Sequence, residues 1–172
     1  MVMMLTVMFA LYSIFDMSLR VFSYGNNKTE AVENARLGLE KMEREIRAAQ
    51  NDDLVLDEWT KDTISFKHKG TEGPKQITYS VYPRKDDYAL GRKISDDNNE
   101  AVVEYVDYQG TDDPGLNFEY LNKNMGNVNA ISGSESQIAI VRMTLEVKPP
   151  GENSGSQTLT TSVHLRNQSS DG

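Results

Sequence analysis

The chain is 172 residues long, 38% hydrophobic and 26% charged, which suits one domain with a modest core and leaves too little apolar surface for two. Its net charge of −8 argues against a nucleic-acid duplex as a partner, because affinity for phosphates comes from clustered Lys and Arg, and Arg84-Lys85 and Arg92-Lys93 are too few. With no cysteine there is no disulfide framework, no thiolate metal site and no cysteine nucleophile.

The first predicted element is an apolar helix. From Met1 to Phe15 only Thr6 and Ser13 are polar, and Asp16 is the first charge. As a helix this run rises ~22 Å, less than the ~30 Å of a bilayer core, so alone it is short for a span. A cleaved secretory signal fits poorly, since no basic stretch precedes the run and no A-x-A-like site follows it. A buried core helix is the plainer alternative by length. Five of the eight methionines (Met1, Met3, Met4, Met8, Met17) crowd this segment, and a helix apolar on every face must be buried all round. The acidic region that follows is too small to wrap it. Lipid or neighbouring subunits are therefore the expected surroundings of Val7, Phe9, Leu11, Ile14 and Phe15.

Gly25-Asn26-Asn27 reads as a soft point, either a hinge or the start of a second helix with Asn27 as N-cap and Glu30 three residues on, as in a capping box. Residues 1–26 form the apolar segment on this reading, and residues 27–172 a globular head made of an amphipathic helix (27–50) and a β-region (51–172). Ala35, Leu39, Met42, Ile46 and Ala49 recur at spacings of four and three along one stripe, which predicts the face that packs on the sheet. The pairs Glu40 with Arg44, Lys41 with Glu45 and Glu43 with Arg47 fall off the stripe and predict an exposed, ion-paired face. About two heptads are too few for a free-standing coiled coil.

Beyond Asn51 the pattern turns to alternation broken by Gly, Asn, Asp and Pro. Ile64 and Phe66 begin it, and a hairpin through Gly70 to Pro74 leads to Ile77, Tyr79 and Val81. Val102 to Val106 and Leu116 to Tyr120 follow, separated by a turn from Gly110 to Gly115. The clearest alternation comes last, in Ala139 to Val147 and Leu159 to Leu165, joined by a polar loop from Pro149 to Ser156. One helix followed by runs of strands predicts an α+β fold with a long N-terminal helix on a mainly antiparallel sheet.

Signals for chemistry are sparse. Gly70-x-x-Gly73 and Gly91-Arg92-Lys93 read as ordinary turns, lacking the rest of a P-loop. His68 and His164 are the only histidines and are expected on exposed strand faces; no nucleophile elbow or zinc spacing is present. A non-catalytic protein with no cofactor is therefore expected. Asp96, Asp97, Asp112 and Asp113 are the best oxygen donors for calcium, but they lack the EF-hand spacing and its glycine, and a solvated acidic loop is the simpler reading. Asn27-Lys28-Thr29 and Asn167-Gln168-Ser169 are formal glycosylation triplets.

The run Ala35-Arg36-Leu37-Gly38-Leu39-Glu40-Lys41-Met42-Glu43-Arg44-Glu45-Ile46-Arg47-Ala48-Ala49 resembles the helix of W-type minor pilins of type IV pili and J-type minor pseudopilins of type II secretion. Ile77 to Val81 followed by Leu90-Gly91-Arg92 resembles the paired strands of that family, Ile140 to Leu145 its penultimate strand, and Leu159 to Asn167 its closing T-x-V-x-LRN motif. The family's basic leader, its Gly before the cleavage point and its Phe-Thr-Leu-x-Glu start are not in this sequence. The resemblance implies about eight to ten further residues ahead of Met1, which would bring the apolar run to the ~20 needed to span; upstream codons test this. It also implies a pilin-like fold and a structural subunit at or near a filament tip. Its partners would be other minor and major pilin-like subunits and the bacterial cytoplasmic membrane, with the head extracytoplasmic in a surface filament or periplasmic pseudopilus. No direct nucleic-acid contact is expected. A membrane-tethered, adhesin-like binding module is the competing class.

Overall fold

The computed structural model describes residues 2–49, 62–70, 73–85, 87–95, 97–128, 135–150 and 155–165. One long helix, α1 (Val2–Ala48), is followed by β1 (Thr63–Gly70), β2 (Gly73–Arg84), β3 (Asp87–Ile94), β4 (Glu100–Val106), β5 (Leu116–Leu121), a short 3-10 turn at Glu135–Gln137, β6 (Ile140–Val147) and β7 (Gln157–His164). Every strand pairing is antiparallel. The sheet runs β1-β2-β3-β4-β6-β5, with β7 on the other side of β6. The fold is thus α+β.

The predicted joint at Gly25 to Asn27 does not form. α1 runs unbroken through it, so Asn27 caps no second helix. The Thr29 hydroxyl donates to the Gly25 carbonyl at 3.0 Å, one turn back along the same helix. What changes near that point is burial: Ala31 is the first buried residue, and Ala35, Gly38, Leu39, Met42 and Ile46 follow on the same face.

That face and the sheet make the main core. Ala35, Leu39, Met42, Ile46 and Ala49 lie with Ile64, Phe66, Tyr79, Leu90, Val103, Phe118, Val141, Met143 and Leu145 in one cluster. Period-two alternation in β6 points Val141, Met143, Leu145 and Val147 into it and leaves Arg142, Thr144 and Glu146 on the other face. Leu121, Ala139 and Ile140 form a small second cluster.

The middle of the sheet departs most from the sequence pattern. Gly91-Arg92-Lys93 is not a turn; it is the centre of β3, with Tyr79 opposite Arg92 and Ser80 opposite Gly91. The Tyr82 ring lies over Gly91, and a Cβ there would come within 2.6 Å of Tyr82 Cε1. The glycine that looks like a turn signal is a packing requirement. β3 to β4 pairing shifts register on either side of Leu90, and Tyr105 has a left-handed φ of 61°. Past these bulges Val106, the last residue of β4, stands between Tyr88 of β3 on one side and Val147 of β6 on the other.

Candidate functional site: a projecting helix

The feature that sets this molecule apart is the first half of α1. Val7, Phe9, Leu11, Ile14 and Phe15 are between 59% and 75% exposed, and no residue of the most apolar 18-residue window is buried. The apolar surface does not stop at Asp16, because Met17, Leu19, Val21 and Phe22 continue it along the same unbroken helix. From Val2 to Tyr24 the helix rises ~34 Å, against ~30 Å of bilayer core. The helix is therefore long and apolar enough to cross a membrane.

Its polar groups are largely quieted within the helix. Arg20 Nε donates to Asp16 Oδ2 at 3.0 Å, one turn apart, so the two charges of this segment compensate each other. Thr6 Oγ1 donates to the carbonyls of Val2 and Met3 at 3.0 and 2.9 Å, and Ser18 Oγ to that of Ile14 at 2.8 Å. A hydroxyl bonded back to its own helix removes most of the cost of placing it in hydrocarbon. The i,i+4 spacing of Asp16 and Arg20 is the sequence signal for this pair.

Where the helix meets the sheet, the charges do not follow the predicted pairs. Arg47 pairs with Glu43 as expected, but Glu40 pairs with Arg36, and Lys41 Nζ reaches Glu100 of β4 at 3.6 Å. Glu45 turns inward: its Oε2 accepts from Tyr79 Oη at 2.9 Å and from Arg92 Nε at 3.0 Å. The Arg92 and Glu45 side chains keep only 14% and 17% of their surface. Burial, with the Glu45 carboxylate beside it, holds the Tyr79 phenol far above its ordinary pKa. Burial opposes the Arg92 cation, but its hydrogen bond and charge contact with Glu45 more than offset this, and its pKa is raised. Helical spacing alone cannot separate Glu45 from its exposed neighbours, since only the sheet supplies its partners. This network locks α1 to β2 and β3.

The described calcium candidates do not converge. Asp97 follows β3, while Asp112 and Asp113 lie in the loop after β4, so the length of β4 separates them; Asp96 lies outside the described residues, as does the triplet Asn167-Gln168-Ser169. Among the described residues no three His, Asp or Glu side chains are grouped to hold a metal ion. His164 is exposed near the end of β7. One concave site of about 230 Å³ lies beside the β4 bulge, lined by Arg84, Lys85, Asp87, Tyr88, Glu104 and Tyr105, with Arg84 paired to Glu104.

No protein-family model matches this chain, and no curated protein matches it. The fold and site define an α+β protein whose long N-terminal helix is packed on its own sheet over one half and bare over the other.

Proposed function

We propose that the chain is a minor pilin-like or pseudopilin-like subunit, a non-catalytic structural protein of a type IV pilus-like filament or a type II secretion pseudopilus. The observation that carries this reading is the single continuous helix whose bare apolar half is rigidly joined to a half docked on an antiparallel sheet. A bare apolar half has two stable surroundings, lipid and other apolar helices, and a filament subunit uses both in turn. The segments that carry the family resemblance support the reading by position. Ala35 to Ala49 is the docked stretch, Tyr79 and Val81 pair with Arg92 and Leu90, and Ile140 to Leu145 and Leu159 to His164 lie on the adjacent strands β6 and β7, while Arg166 and Asn167 of the closing motif lie outside the described residues. Before assembly, the bare half would sit in the bacterial cytoplasmic membrane with the head outside the cytoplasm. Its partners would be other minor and major pilin-like subunits, and its net charge of −8 argues against direct contact with nucleic acid.

The test is a photo-cross-linking amino acid placed at Leu11 of the full chain in its native membrane. Adducts with other small proteins that begin in an apolar helix are expected. A chain that cross-links only to lipid, and enriches one soluble ligand through its head, would establish the tethered binding module instead.

A further inference from the structure

Among the described residues the sheet ends in three boundary strands, β1, β5 and β7, and they are guarded differently. β1 carries the exposed Lys67, the kind of charge that discourages further pairing. β5 is covered by the chain that follows it: Val128 N donates to Tyr120 O at 2.8 Å, and Leu121 bridges to Asn127. Among the described residues β7 has neither protection. Gln157–His164 reads Q-T-L-T-T-S-V-H, with no Lys, Arg, Asp, Glu, Pro or Gly.

The pairing pattern settles which backbone groups of β7 are free. Leu165 N donates to Ala139 O at 2.9 Å, which brackets the His164 and Ile140 pair as a non-hydrogen-bonded one. Antiparallel alternation then turns the N–H and C=O groups of Val163, Thr161, Leu159 and Gln157 toward β6, and those of His164, Ser162, Thr160 and Thr158 away from it. Among the described residues nothing pairs with that outer row.

We infer that β7 is a docking edge for an extended segment of another protein chain, which adds to the sheet as an antiparallel strand. Main-chain hydrogen bonds to Thr158, Thr160, Ser162 and His164 hold the segment, as in other strand additions. The two ends of the edge select its chemistry. At the His164 end, Arg44 and Arg47 line a groove of about 450 Å³ with Ala48 and Leu165; Glu43, which accepts from Thr161 of β7 at 3.3 Å, pairs with Arg47, so Arg44 supplies the charge that attracts an acidic residue. At the other end Glu146 stands opposite Thr158. An antiparallel partner therefore carries an acidic and an apolar residue near its N-terminal end, Thr or Val through its middle and a basic residue near its C-terminal end. This goes beyond the filament reading and does not depend on it.

The experiment uses the full chain in detergent micelles and a fluorescent, end-blocked peptide, Asp-Leu-Thr-Val-Thr-Val-Thr-Lys, followed by anisotropy. Thr160→Pro removes an outward N–H and sets a ring where the partner lies, while the bonds to β6 stay intact; Thr160→Val keeps the edge. Binding is expected to weaken at least about tenfold in Thr160→Pro and to be unchanged in Thr160→Val. A peptide with Asp and Lys exchanged is expected to bind several-fold more weakly at low salt, the gap closing as salt screens it. Circular dichroism checks the fold, and Ser162→Pro replaces Thr160→Pro if the latter unfolds. Equal binding by a folded proline variant overturns the inference, as does indifference to the charge exchange. Sedimentation showing self-association through β7 overturns it too, because the occupant would then be a second copy of this chain.

Discussion

Gly38 carries a requirement that no helical pattern announces. In a helix interior glycine is normally about 1 kcal/mol worse than alanine. Here it faces β4, where a Cβ would collide with Val103 Cγ2 and press on Val102 Cγ1 at 3.3 Å. Both valines reach the helix because Val102 is the extra residue of a bulge, lying between the Leu90 with Val103 and Gly91 with Ala101 pairs. Gly38→Ala is therefore expected to destabilise the head by about 1–3 kcal/mol through overpacking, the reverse of the usual sign. Val103→Ala in the same chain should recover part of that loss. Thermal melting of the two variants decides it; a Gly38→Ala chain as stable as the parent would mean the helix is not seated this closely. The neighbouring Glu45 teaches a related lesson, since its i,i+4 spacing to Lys41 predicts an exposed pair while Tyr79 and Arg92 claim it.

α1 divides by burial rather than by a break. Its docked half contributes Leu39, Met42 and Ile46 to the main core, while its bare half touches none of it. The two halves should respond oppositely to charge. Leu39→Asp places a carboxylate in the core and is expected to cost more than ~4 kcal/mol, enough to unfold a marginal head. Val7→Lys with Ile14→Lys should leave the melting of the head unchanged and abolish membrane insertion, measured by alkaline carbonate extraction, since each charge costs about 2.5–3.5 kcal/mol at mid-bilayer. Unfolding of the head by the second pair would show that the halves are not independent. The apolar run and the Ala35 to Ala49 stripe are both legible as periodicity. The continuity between them is not, because a Gly-Asn-Asn triplet weakens a helix without ending it, and neighbouring turns with bonded hydroxyls carry it through.

For the molecule as a whole, stability should fall in alkali. Burial raises the pKa of both Tyr79 and Tyr120, the first with help from Glu45. A phenol whose pKa is raised by folding keeps its proton in the native state after the unfolded chain has lost it. Its contribution is full below the unfolded value of about 10 and declines as pH rises above it. The melting temperature is expected to drop above pH ~10, and less steeply in Tyr79→Phe. Phenolate absorbance should show these two rings ionising only with unfolding; early ionisation of both would contradict their burial.

The antiparallel α+β class, six of the seven strand positions, the bare apolar helix and its packing stripe follow from local pattern, because period and polarity are properties of neighbouring residues. β3 was legible only as Leu90 to Arg92 through family resemblance, since Gly91 breaks its alternation and Arg92 lies on the core face. Other features required the tertiary structure: the unbroken helix, the inward turn of Glu45, the need for glycine at positions 38 and 91, and the separation of Asp97 from Asp112 and Asp113. Each depends on which distant residue comes to stand opposite. Opposition across a sheet is set by register and bulges, and no stretch of sequence contains both sides of it.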